Sequence, residues 1–188
     1  SGGPANVVYD EQIFGGSFSI HPVVTYDAGA PMMFAQSSGS TAIRLHTITD
    51  VLTGGVRTFT DVNVPTFLFP ADVPQQGGAP LDSVSQRIMS GVVRDGSLWT
   101  AHAISDPAVD TETVVRWYEF DVTGSPALVQ SGNVDPGPGI HTWMTHINVD
   151  NDGDMAISFS ISGANQFAGI GYTGRLASDP LGTTRPVI

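Results

Sequence analysis

The chain has 188 residues, 40% of them hydrophobic, which suits one domain with a substantial core. Eighteen Asp and Glu stand against seven basic residues, all arginine, for a net charge of −11; such a surface repels phosphate backbones and anionic membranes, so neither nucleic-acid binding nor membrane attachment is expected. The chain has no cysteine, which removes disulfide and thiolate chemistry, and no apolar run reaches the roughly 18 residues of a membrane helix.

The first residues, SGGPANVVYD, lack the pattern of a signal peptide, and a mature or trimmed segment is expected. Beyond them helical periodicity is almost missing. Apolar positions alternate, and Val, Ile, Thr, Phe and Tyr crowd short runs bounded by Gly, Pro, Asp and Asn, with 22 Gly and 13 Pro spread along the chain. That pattern predicts an all-β protein of many short strands.

The first strand pair is HPVVTYDAGAPMMFAQ, from His21, two alternating runs around an Asp/Gly turn. AIRLHTI from Ala42 and RTFTDVNV from Arg57 follow as third and fourth strands. PTFLFPADVPQQGGAPLDSVSQ, residues 65–86, is rich in Pro, Gly and Gln and reads as a packed crossing loop. MSGVVRDGSLWTAHA from Met89 repeats the strand–turn–strand pattern, followed by VVRWYEFDV and ALVQSGNV. THINVDNDGDMAISFS from Thr145 repeats it again, followed by AGIGYTG. The unit recurs after about 55 to 70 residues, the spacing of four-stranded repeats. The prediction is a β-propeller segment of about three blades, near residues 7–64, 81–135 and 140–188. A β-sandwich of the same strands is the alternative. Three blades are too few to close a ring, so further blades or another copy of the chain is expected to complete it.

Several runs carry a family resemblance: VPQQGGAPLDSVSQRIMSGVVRDGSLWTAH, VRWYEFD, LVQSGNV, INVDNDGDMAISFSISGANQF and YTGRLASDPLG. In these, from about Val73 onward, the chain resembles secreted or surface-attached bacterial β-propeller proteins of sialidase-like style. The first 70 residues are similar only in general style, through VVYDEQIFGGSFSIHPVVTYD. The resemblance implies a propeller fold and an extracellular or cell-surface location. It implies no particular reaction. In the resembled proteins a further blade follows the SDPLG element.

Three constellations invite a chemical reading. Asp150, Asp152 and Asp154 alternate just before an apolar strand and could donate oxygens to calcium. Yet Asn-Asp-Gly is itself a strong hairpin signal, Met155 stands where short calcium loops carry Gly, and the hairpin is the preferred reading. Trp99 and His102 lie in LWTAH, and Arg116, Trp117, Tyr118 and Glu119 form a run on the next strand. With Arg87 they are candidate glycan-binding residues, because sugar rings have apolar faces for aromatics and polar edges for Arg and carboxylates. The competing reading has Trp99 and Trp117 filling space between sheets. Alternation places Arg116 and Tyr118 on one face and Trp117 and Glu119 on the other.

Catalysis has weaker support. Glycoside hydrolysis needs two carboxylates, or a Tyr activated by Glu, and only Glu11, Glu112 and Glu119 exist alongside the aspartates. RDGSLW keeps only part of an Asp-box. GIGYTG, 169–174, imitates a dinucleotide fingerprint but lies inside a strand pattern. His21, His46, His102, His141 and His146 show no zinc-ligand spacing. The preferred reading is a non-enzymatic extracellular binding or assembly module. The alternatives are part of a sialidase-like glycoside hydrolase and a calcium-stabilised carbohydrate-binding module.

Overall fold

A computed structural model describes residues 19–50, 54–107 and 112–188. They form strands, turns and loops with no helix, so the all-β expectation holds. Residues 7–18 of the expected first blade, and Glu11 with them, lie outside the described residues.

Three antiparallel meanders follow one another. The first comprises β1 (His21–Thr25), β2 (Met32–Ser38), β3 (Ala42–Thr49) and β4 (Val56–Asn63). The second comprises β5 (Ser90–Arg94), β6 (Ser97–Ser105), β7 (Thr113–Asp121) and β8 (Ala127–Val134). The third comprises β9 (Ile140–Val149), β10 (Met155–Gly163) and β11 (Gln166–Arg175). β1 and β5 pair in parallel through Val24–Val92 and Thr25–Val93, which joins the first two meanders into one eight-stranded sheet. The third remains a separate three-stranded sheet.

The turns explain why the meanders form. Arg94 and Ser97 flank a two-residue turn in which Asp95 and Gly96 both have positive φ, 51° and 75°. Such a turn matches the right-handed twist of a hairpin, and Asp-Gly is among the pairs that adopt it readily. In β9, two residues, Met144 and Thr145, stand opposite the single residue Phe159, and this bulge turns Met144 to φ +48°.

Packing curls the large sheet at the β1–β5 seam. Met33, Ile43, Leu45 and Val62 of its first half close on Leu98, Ile104, Tyr118 and Phe120 of its second half. The other face of that second half presents Trp99, Ala101, Val115 and Trp117 to Ile147, Val149, Ile157 and Phe159 of the three-stranded sheet. The second meander is therefore a middle layer, and β6 is buried at every position from Leu98 to Ile104. Each large apolar side chain so enclosed stabilises the fold by about 1.5–3 kcal/mol. The result is sandwich-like: one curled sheet with a second sheet laid on it.

Residues 65–86 are stitched to the sheets. Phe67 and Val73 are buried, Leu68 pairs with Ser105, and Val73 pairs with Leu81. Thr113 Oγ1 donates to the Ala71 carbonyl at 3.0 Å and Ser162 Oγ to the Pro74 carbonyl at 2.7 Å. At the other edge of the molecule, Ile188 exchanges both backbone hydrogen bonds with Tyr172, and Arg185 N–H donates to the Gly174 carbonyl. The last residues thus lie along the edge of β11.

Candidate functional site

The run Arg116–Glu119 divides across two cores, as strand alternation requires. Trp117 stacks on Trp99 with ring centroids 5.9 Å apart and planes 21° from parallel, both rings buried between the middle layer and the three-stranded sheet. The Arg175 guanidinium lies 5.8 Å from the centre of the Trp117 ring. The backbone closes this space as well: a Cβ added at Gly132 would stand 2.9 Å from that ring and 2.3 Å from the Gly182 carbonyl. No face of either indole is open to a sugar. Glu119, on the same side, is half-buried and accepts hydrogen bonds from Ser97 Oγ and Gln130 Nε2.

On the opposite face, Arg116, His102 and Tyr118 form a buried network. Arg116 Nε donates to Asn133 Oδ1 at 2.7 Å, its Nη1 to the carbonyls of Pro65 and Thr66 at 3.1 Å each, and its Nη2 to Asp106. Asp106 also accepts from Asn133 Nδ2 at 2.6 Å. The guanidinium therefore clamps the start of the 65–86 segment onto β7. His102 Nδ1 lies 2.9 Å from the Gln86 carbonyl, so that nitrogen carries the proton, and Nε2 accepts from the Tyr118 hydroxyl at 2.9 Å. Burial pushes the His102 pKa down to about 4, against a smaller opposing effect of the Gln86 hydrogen bond. Burial likewise pushes the Tyr118 phenol well above its ordinary range, the wrong direction for a nucleophile. Arg87 stands apart from these residues, half-buried beside a small cavity lined by Ser37, Phe69 and Gln86.

The three aspartates sit on the β9–β10 turn. Asp150 Oδ1 accepts the backbone N–H groups of Asp152 and Asp154 at 2.9 and 3.0 Å, and Asp154 Oδ1 accepts that of Ala177 at 2.8 Å. Two carboxylates are thus turned onto backbone donors, as a hairpin cap requires. Among the described residues no group of three or more His, Asp or Glu side chains gathers in a way that would hold a metal ion.

A different concavity is open. A cavity of about 390 Å³ lies where β1, β5 and β9, the first strands of the three meanders, meet β10 and β11. His21 and Tyr26 reach it from the first meander, His146 and Asn148 from β9, Ser158 from β10 and Tyr172 from β11. Tyr26 and Tyr172 are each 54% exposed. Burial lowers the His21 pKa, with the facing His146 adding to the effect. Sequence reasoning weighed His21 and His146 only as metal ligands and did not group these residues, because they are scattered over four strands and the residue after β1; the signal that existed was a Tyr in each of TYDAG and GIGYTG.

No protein-family model, curated protein or solved structure matches this chain.

Proposed function

We propose that the chain is a non-enzymatic binding and assembly module of β-propeller type, acting outside the cell. Its sheet packing is completed by a further sheet, which in solutions of this chain alone comes from a second copy. The observation that carries the reading is the outer face of the three-stranded sheet. There Met144 is 44% and Ile170 84% exposed, beside Ser160 and Ala168, around an open concavity of about 640 Å³. The inner face of the same sheet packs on the middle layer, so among the described residues the outer face is the one without the partner layer that apolar strands require. These four strand residues are uncharged, and Asp82 lines the same concavity beside them. The propeller type rests on the recurrence of the antiparallel meander along the chain, two of four strands and one of three. The extracellular setting rests on the resemblance of the sequence to secreted propeller proteins.

Of the residues a glycoside hydrolase would draw on, Arg87, Arg116, Tyr118 and Glu119, the last three each hold other parts of the fold, which favours the binding reading. Sedimentation velocity over a range of concentrations tests the assembly. The expected result is a mass that rises with concentration and returns to that of one chain in Ile170→Asp. A wild type that stays monomeric at every concentration would overturn the reading.

A further inference from the structure

We infer that the cavity between β1, β5, β9, β10 and β11 is a binding site for a neutral saccharide. It is built within one chain, so its ligand needs no second copy, although Tyr172 and Ser158 lie two residues from Ile170 and Ser160 along β11 and β10.

The first argument is charge. The chain carries 18 acidic residues and seven arginines, yet among the described residues no Asp, Glu or Arg lines this cavity. A charged ligand would lose its hydration there without gaining an ion pair. An uncharged polar ligand meets no such cost.

The second argument is the chemistry of the walls. A pyranose presents C–H groups on its faces and hydroxyls on its rim. Tyr26 and Tyr172 supply half-exposed rings, apolar on the face and polar at the tip. The Arg94 guanidinium lies 4.3 Å from the centre of the Tyr26 ring and holds it in place before any ligand arrives. Around the rings, His21, His146 and Ser158 spend none of their side-chain polar atoms on hydrogen bonds among the described residues, and there Asn148 spends only Oδ1, on the Val149 N–H at 2.8 Å. A neutral imidazole both donates and accepts, as does a hydroxyl, and the lowered pKa of His21 keeps it in that form. By contrast Ser90 Oγ is committed to the Ile147 N–H and Thr173 Oγ1 to the Arg185 carbonyl. Those two fix the wall and leave the others to face outward.

The third argument is shape. A volume of about 390 Å³ falls at the small end of the usual range for ligand pockets, about 300–1,000 Å³. An extended peptide adding as a strand is a poorer fit, because Arg185 and Ile188 already occupy backbone positions at the edge of β11.

The test is an array of neutral oligosaccharides built from hexose, deoxyhexose and N-acetylhexosamine units, with sialylated and sulfated counterparts, followed by titration calorimetry on whichever neutral glycan is retained. The expected result is retention of neutral glycans in preference to anionic ones. Tyr172→Ala and Tyr26→Ala should each weaken binding about tenfold, and Tyr172→Phe, which keeps the ring and the fold, by less. Retention of no neutral glycan, preference for the anionic counterparts, or wild-type affinity in Tyr172→Ala would overturn the proposal.

Discussion

The Asp27 carboxylate accepts the Gly96 backbone N–H at 2.9 Å through one oxygen and that of Asp95 at 2.7 Å through the other. The turn of the first meander thereby caps the turn of the second, next to a parallel β1–β5 seam with only two residue pairs in register. On the far side of the same turn, Arg94 Nη1 donates to Asn151 Oδ1 of the β9–β10 turn. The three Asp/Gly turns that recur along the sequence therefore meet at one end of the molecule and bind each other. Asp27→Ala should lower stability by about 1–3 kcal/mol, the cost of leaving two N–H groups without their charged acceptor. Urea unfolding measures it. Asp27→Asn, which keeps one acceptor oxygen, should cost less. Unchanged stability in Asp27→Ala would show that the Asp95–Gly96 turn holds itself.

The buried cation on β7 gives a larger effect. Arg116 and Asp106 have side chains only 6% and 14% exposed. Removing the guanidinium leaves a carboxylate enclosed beside Asn133 and frees the carbonyls of Pro65 and Thr66. Arg116→Ala should cost about 3–5 kcal/mol, and limited proteolysis should then cut within residues 65–86 before the strands. Tyr118→Phe should cost about 1–3 kcal/mol, because His102 Nε2 loses its donor. Incubation of the wild type with a fluorogenic sialoside is expected to yield no product. Turnover that Tyr118→Phe abolishes would restore the catalytic reading.

The legible part of the sequence was local. Alternation in HPVVT and MAISFSIS, and Asp-Gly between two apolar runs, locate strands and turns because a hairpin is specified by residues close in the chain. What could not be read was which polar residues of a strand face an interior. In the sequence, Arg116 and Tyr118 read as ligands on a strand with one wet face. In fact β7 lies between two cores, and their partners are Pro65, Thr66 and the His102–Gln86 pair, whose approach depends on how residues 65–86 cross the sheet. The cavity was hidden for the same reason: Tyr26 and Tyr172 lie far apart in the chain and line one cavity only when the two sheets come together.

Calcium can be tested by linkage. An ion bound at the Asp150–Asp154 turn at a concentration 100 times its Kd would stabilise the fold by about 2.7 kcal/mol. Since Asp150 and Asp154 already serve backbone donors, the melting temperature should be the same in excess chelator as in millimolar calcium. A rise of several degrees with calcium, lost in Asp152→Asn, would establish the ion.

Acid stability follows from His102. Its ordinary pKa is 6.5, and burial holds it near 4 in the folded chain. The unfolded chain therefore binds a proton more readily than the native one, so stability is complete above pH 6.5 and falls as pH drops toward 4. The loss from this group approaches about 1.4 kcal/mol per pH unit and totals about 3 kcal/mol. Burial lowers the pKa of His21 and His141 as well, which adds loss in the same direction. Protonation would place a second proton on Nε2, which must accept from Tyr118, so the hydrogen bond and the neutral state are lost together. Urea midpoints between pH 7.5 and 4.5 measure the slope, and the imidazole resonance of His102 should titrate near pH 4 or not before unfolding. A His102 resonance that titrates near pH 6.5 in the folded chain would show that this ring is solvated, and the buried network around Arg116 would need to be redrawn.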